Sequence, residues 1–136
     1  MNSFSRVNYS KLNSKQKENY NFFKLASVLI DYGYYSHWLN DDWQGADFIA
    51  SHMDGNTFLK IQLKGRLTFN KKYLGKDIHI AFRAANDWYL YPHDKVCNQL
   101  ANVLDFQNTK SWTEGGGYDW PRLSKQTLDS LTAYKI

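Results

Sequence analysis

Asp47, Gln62 and Lys64 are the residues of this chain whose types and spacing could do chemistry. They lie in two segments, Asp47 to Met53 and Thr57 to Lys64, both rich in Phe, Ile, Leu and Thr. Between them stands Asp54-Gly55-Asn56, a strong short-hairpin signal. With Asp54-Gly55 as a two-residue loop, Met53 pairs with Asn56 and Asp47 stands opposite Gln62. Sliding the loop by one residue sets Asp47 opposite Lys64 instead. Side chains alternate with period two along a strand, so in either register Asp47, Gln62 and Lys64 share a face. An acid, an amide oxygen and a lysine on one face are parts for metal-dependent phosphodiester cleavage. Leu59, Ile61 and Leu63 occupy the other face, the expected core side. The plainer reading is that Lys60, Gln62 and Lys64 form the wet side of a half-buried strand, and periodicity alone favours it.

The elements that must position this hairpin follow from caps and periodicity. Met1 to Leu12 read as a loose lead-in. Asn13-Ser14 can cap a helix running to about Tyr32, with Gly33 marking its end. Phe22, Leu25, Ala26 and Leu29 fall at helical spacing as its buried stripe. Glu18 lies one turn before Phe22 on that stripe, where it either snorkels out of the fold's edge or reaches a shared polar site. Tyr34 to Gly45, aromatic and acidic, reads as a loop whose His37, Asp41 and Asp42 match no defined metal-ligand spacing. Beyond the hairpin, Arg66 to Lys76 reads as a basic loop holding Phe69 and Tyr73. Asp77 to Arg83 alternates Ile78, Ile80 and Phe82 against His79, Ala81 and Arg83 as a third strand, and Trp88 to Tyr91 makes a short fourth closed by Pro92. Asp94 can cap a helix with Val96, Leu100, Val103 and Leu104 on its apolar face. The remainder carries Trp112, Gly115-Gly116-Gly117, Tyr118 and Trp120-Pro121, then a short helix from Ser124 to Tyr134. No Gly-Lys-Ser/Thr follows the triple glycine, so it reads as a flexible turn rather than a phosphate loop.

Composition narrows the class. The 136 residues suffice for one domain with a real core. Met1-Asn2-Ser3-Phe4-Ser5-Arg6 contains no apolar stretch, so no signal peptide is expected, and no run approaches transmembrane length. The single cysteine, Cys97, excludes an internal disulfide framework and a cysteine zinc site, and points to a reducing cytoplasm. The net charge of +4 is unevenly spread: Lys60, Lys64, Arg66, Lys71, Lys72 and Lys76 fall in a stretch from Gly55 to Lys76 without an acid. A basic loop beside a candidate metal site suits a phosphate backbone; a solvated lysine-rich loop fits the charge pattern equally well. Five Trp, ten Tyr and eight Phe could stack on bases or sugars where exposed, although most are expected in the core.

An acid-bearing first helix, a hairpin carrying Gly45-Ala46-Asp47 and Gln62-Leu63-Lys64, then two strands and a helix resembles the core of the PD-(D/E)xK nucleases, the restriction-endonuclease-like superfamily. The resemblance covers about Ser14 to Phe106, leaving 107–136 as a C-terminal tail. Its spacing looks most like the small members, such as archaeal Holliday-junction resolvases and the homing endonucleases of this superfamily. It implies one α/β (α+β) domain over 1–136, with a mixed central sheet of about four strands flanked by helices in an αβββαβ-like order. It also implies that Asp47 is the metal-binding aspartate, Gln62 takes the place of the second acid, Lys64 is the lysine, and Glu18 is the acid some members place on their first helix. Mg²⁺ or Mn²⁺ would be held by Asp47, the Gln62 side-chain carbonyl and the Leu63 backbone carbonyl. Lys64 would orient a water or stabilise charge on the phosphorane, and Glu18 would act through an outer-sphere water.

Two departures accompany the match: Ala46 stands where the pattern has proline, and Gln62 removes a negative charge from the metal site. The expected function is a Mg²⁺-dependent endonuclease acting on nucleic acid, DNA rather than RNA, in the cytoplasm and without a membrane partner. Arg66, Lys71, Lys72 and Lys76 would contact the nucleic-acid backbone. Small nucleases of this type often act as homodimers, so that two sites reach two strands. The alternative is a non-catalytic nucleic-acid-binding or assembly module of the same fold, in which Lys64 and the basic loop grip phosphate without hydrolysis.

Overall fold

A computed structural model describes residues 3–136; Met1 and Asn2, the start of the expected lead-in, lie outside the described residues. The rest of the lead-in is partly ordered by contact. Tyr9–Lys11 form one 3-10 turn, and Tyr9 packs on Tyr20 with ring centroids 5.2 Å apart. Helix α1, Ser14–Ile30, starts at the expected cap. The Asn13 side chain accepts from the Gln16 N–H while the Gln16 side chain accepts from the Asn13 N–H, satisfying two orphan donors reciprocally. Gly33 then takes φ +82°, the left-handed conformation that lets the chain reverse. Phe22, Leu25 and Leu29 are buried, and Ala26 is half-buried.

Strand β1, Tyr34–Trp43, occupies the segment expected to be a loop. Its residues Tyr34 to Trp38 pair antiparallel with strand β2, Ala46–His52. Tyr34, Ser36 and Trp38 are half-buried while Tyr35 and His37 are exposed, so a period-two pattern is present beneath the polar composition. As the edge strand it tolerates that composition, because one of its sides pairs with no other strand among the described residues.

Strand β3, Phe58–Leu63, completes the expected hairpin. Phe48 pairs with Ile61 and Ala50 with Leu59, the register that sets Asp47 opposite Gln62. The turn is longer than two residues: the His52 N–H donates to the Thr57 carbonyl and closes a four-residue loop, 53–56. Asp54 organises that loop by accepting from the Asn56 and Thr57 N–H groups and the Thr57 hydroxyl, which hold its carboxyl down at about 2.

Strand β4, Leu67–Asn70, and a 3-10 turn at Lys71–Tyr73 replace the expected basic loop. Leu67, Phe69 and Tyr73 are buried, and this apolar alternation draws the segment inward while its lysines stay outside. Strands β5, Ile78–Ala84, and β6, Asp87–Pro92, follow as expected. Helix α2, His93–Ala101, takes Pro92 rather than Asp94 as its N-cap. The Asp94 carboxylate is engaged elsewhere, by the Gly75 N–H at 2.9 Å and by His93 Nδ1 at 2.8 Å. The helix stops short of Val103, which is exposed.

Residues 107–136 are no loose tail. They form the short helix α3, Lys110–Thr113, strand β7, Gly117–Trp120, helix α4, Lys125–Ser130, and a 3-10 turn at Thr132–Tyr134. Trp112 and Leu131 are buried in the core, and β7 pairs antiparallel with β4. At the triple glycine, a Cβ on Gly115 would stand 2.7 Å from the Ser111 carbonyl oxygen, so close backbone packing rather than flexibility requires a glycine there.

The main sheet is mixed, with five strands in the order β1-β2-β3-β5-β6; β3 and β5 run parallel and every other pair antiparallel. The fifth strand, beyond the expected four, is β1. Both faces are covered. Phe22, Leu25 and Leu29 of α1 pack on Phe48, Ala50, Ile61 and Ala81. On the other face Ile78, Ile80 and Phe82 pack with Val96 and Leu100 of α2, and with Leu67 and Phe69 of the β4–β7 ribbon. The Lys60–Gln62 side of β3 is therefore not a broad wet surface, since Gln62 pairs with the buried Ile80. No helix among the described residues is long and apolar enough to cross a membrane.

Candidate active site

Three elements bring side chains distant in sequence to one end of the main sheet. Ala46 and Asp47 open β2 immediately after Gln44 and Gly45, whose φ values of +55° and +85° make a two-residue turn of the type that matches strand twist. Ala46 is fully buried, and a Cβ on Gly45 would make ordinary contact with the Tyr73 ring at 3.4 Å, so its positive φ rather than lack of space calls for glycine. Gln62 and Leu63 close β3, and the chain leaves the sheet at Lys64, whose N–H still donates to Ala81 O at 2.9 Å. Glu18 stands on the second turn of α1, with Asn21 three residues further along the same side.

Glu18, Asn21, Asp47, Gln62, Leu63 and Lys64 line one cleft of about 260 Å³, with Ser14 and Gly65 at its margins. Asp47 is oriented from its own sheet: the Leu63 N–H donates to its Oδ2 at 2.9 Å. Burial pushes the Asp47 carboxyl above the ordinary aspartate range. The Leu63 N–H opposes that shift, the Glu18 carboxylate adds to it and the Lys64 ammonium opposes it, while Asp42 adds a further upward push. Among the described residues no ion pair reaches Asp47, and Glu18 pairs only with Lys15, at 3.0 Å on the surface. Lys64 extends its ammonium over Tyr73, 5.6 Å from the ring centroid.

This donor set suits a hard divalent cation. Two carboxylates line one cleft, one of them half-buried and in no ion pair among the described residues, and the Gln62 amide oxygen could add a neutral ligand. Leu63 lies at the cleft with its N–H committed to Asp47, leaving its carbonyl as the group it could offer a cation. Among the described residues no three His, Cys, Asp or Glu side chains cluster.

The four basic residues expected to contact a backbone are dispersed. Arg66 pairs with Asp119 at 3.0 Å, and Lys71 lies 5.3 Å from the Trp112 ring centroid. Lys72 and Lys76 instead line a neighbouring concavity with Asp42, Gln44 and Tyr73. His37 bonds Ser51, beside its β2 partner, and stands apart from the cleft.

Two residues escaped the sequence reading. Asn21 carried a usable signal, being three residues after Glu18 on a helix. Tyr73 carried none, because its inward turn depends on a 3-10 segment that lysines conceal. Comparison with protein-family models, with curated proteins and with solved structures finds no match to this chain.

Proposed function

We propose that the chain is a metal-dependent nuclease that hydrolyses phosphodiester bonds of nucleic acid, DNA in preference to RNA, through the Asp47–Lys64 cleft. The observation that carries this reading is convergence. Glu18, Asp47, Gln62 and Lys64 come from three elements, and a merely solvated strand face gives no reason for a helix acid to meet them in one cleft.

In this reading Asp47 and the Gln62 side-chain carbonyl, with the Leu63 carbonyl, hold Mg²⁺ or Mn²⁺. The bound cation would supply Lewis-acid polarisation of a phosphate oxygen and a water of lowered pKa. The Leu63 N–H keeps the Asp47 carboxylate in one orientation, so no reorganisation is needed when substrate arrives. Lys64 places a positive charge where negative charge grows on the phosphorane oxygens. Glu18, which lines the same cleft, would accept a hydrogen bond from water and orient it. The restriction-endonuclease-like core belongs to this proposal.

The test is cleavage of labelled single-stranded, duplex and branched DNA, with RNA alongside, in Mg²⁺ or Mn²⁺ and in chelator. Metal-dependent cutting by the wild type that is lost in Lys64→Ala, with the fold retained, is the expected result. Absence of cutting on every substrate overturns it. One observation favours a second reading, a nucleic-acid-binding module without hydrolysis: Gln62 leaves the cleft one carboxylate short of the family pattern. Salt-sensitive binding without cutting would select that reading.

A further inference from the structure

A second concavity, of about 490 Å³, adjoins the candidate site and shares Asn21, Lys64 and Gly65 with it. Phosphodiester chemistry makes no use of it. Its walls include Tyr9, Tyr20, Arg83 and Asn86, with the buried Trp88 beneath Arg83, so it combines tyrosine rings and a guanidinium with hydrogen-bonding groups. Tyr9 and Tyr20 are tilted by 59° and not stacked on one another, and the Asn21 amide fixes the Tyr9 hydroxyl at 2.8 Å. Arg83 lies over the Trp88 ring at 6.0 Å and is tied to Asn86 at 3.4 Å across the tight Ala85-Asn86 turn. Lys17 and Lys24 stand 5.4 and 5.3 Å from the Tyr9 and Tyr20 ring centroids and bring positive charge to this side.

We propose that this pocket is a nucleobase subsite, which receives one unpaired base from a strand whose phosphate lies in the Asp47–Lys64 cleft. The inference deepens the nuclease reading and rests on it. Aromatic rings and an arginine plane suit the π-face of a base, and the Asn86 amide can bond a base edge. A volume near 490 Å³ falls within the range of small-ligand pockets and has room for a nucleoside. A base held in a duplex keeps its neighbours on both faces and cannot enter. The substrate class that follows is single-stranded or locally unpaired nucleic acid, and DNA and RNA oligonucleotides tested side by side decide between the two sugars.

The experiment is equilibrium binding, with Ca²⁺ in place of Mg²⁺ and at fixed salt, of short single-stranded oligonucleotides that carry one abasic site at each successive position. Matched oligonucleotides carrying 2-aminopurine report stacking by quenching. One position should show strong quenching, and its abasic version should bind roughly 5- to 150-fold more weakly, the range of a base–aromatic stack. Tyr9→Ala and Arg83→Ala should each reduce that position's contribution while leaving the folded state intact, since both side chains are exposed. Affinities within about twofold for every abasic position overturn the subsite, as does failure to bind any oligonucleotide. Cleavage in Mg²⁺ with no base dependence would sink the subsite and leave the nuclease reading standing. Base-dependent binding without cleavage would do the reverse.

Discussion

Removing one hydroxyl, by Tyr91→Phe, tests how the β4–β7 ribbon is fastened to the main sheet. Tyr91 is fully buried, and its hydroxyl both donates to the Thr68 carbonyl at 2.6 Å and accepts from the Thr68 N–H at 3.1 Å. Two residues along β4, the Asn70 N–H donates to His93 Nε2 at 3.0 Å. Side chains thus take the place of a neighbouring strand on the side of β4 that faces away from β7. Phenylalanine keeps the ring contacts with Phe69 and Phe82, at 5.8 and 6.1 Å between centroids, so the change isolates the hydroxyl. It leaves the Thr68 N–H and carbonyl facing a ring edge. At about 1–3 kcal/mol for each unsatisfied buried group, and with Thr68 only half-buried, the expected loss is about 2–4 kcal/mol. For a chain of this length that corresponds to a Tm lower by ~6–16 °C. Urea unfolding of both proteins, checked for equal m-values, measures it. A loss under about 0.5 kcal/mol would mean that water already satisfies Thr68 and that the ribbon is held by apolar packing alone.

Asp47→Asn keeps an acceptor for the Leu63 N–H while removing the charge. Because the folded pKa of Asp47 is raised above 3.8, the native state binds the proton more tightly than the unfolded chain, and stability falls as pH rises through the raised value. The variant should therefore melt higher than wild type at pH 7, with the difference vanishing as pH falls toward 3.8; a lower Tm at pH 7 would refute the account of Asp47 as a carboxylate held at a cost. Mg²⁺ at about ten times its Kd should raise the wild-type Tm by roughly 4–7 °C, from about 1.4 kcal/mol of linkage, and leave Asp47→Asn unmoved. Gln62→Glu places a third carboxylate beside Asp47 and Glu18, so calorimetry should find Mg²⁺ bound at least about tenfold more tightly; an unchanged affinity counts against Gln62 as a ligand.

The parts of the fold legible in the sequence are those set by local pattern. The Asn13 cap, the Phe22-Leu25-Leu29 stripe and the Leu59-Ile61-Leu63 alternation each specify an element within a few residues. Strand β1 escaped because Tyr34 to Trp38 place aromatics on both faces, and an edge strand has no apolar majority to betray it. The β4–β7 ribbon escaped for a different reason. Leu67 and Phe69 alternate over only four residues, and their partners Trp120 and Tyr118 lie about fifty positions away, where isolated aromatics read as loop. Trp112 and Leu131 likewise show their burial only once α2 and the ribbon form a surface to pack on. At the candidate site, period two alone set Asp47, Gln62 and Lys64 on one face, and the register that puts Asp47 opposite Gln62 came from the structure. Placing Glu18 there needed the tertiary crossing of α1 over the sheet.

Charge balance separates the two functional readings most sharply. A module that only grips phosphate would gain from Lys64 and lose from every carboxylate near it, because like charges in a half-buried cleft repel. Asp47 and Glu18 line the same cleft as Lys64, and no ion pair among the described residues neutralises Asp47. A phosphate diester entering that cleft would add a third negative charge to Asp47 and Glu18, against Lys64 inside the cleft and Lys15 on the surface, and a divalent cation would offset the excess. The requirement is specific, since phosphate binding in this cleft should be weak in chelator and recover with Mg²⁺. Tight binding of the backbone in chelator would place the phosphate elsewhere, on Lys72 and Lys76, and leave Asp47 with no role in binding.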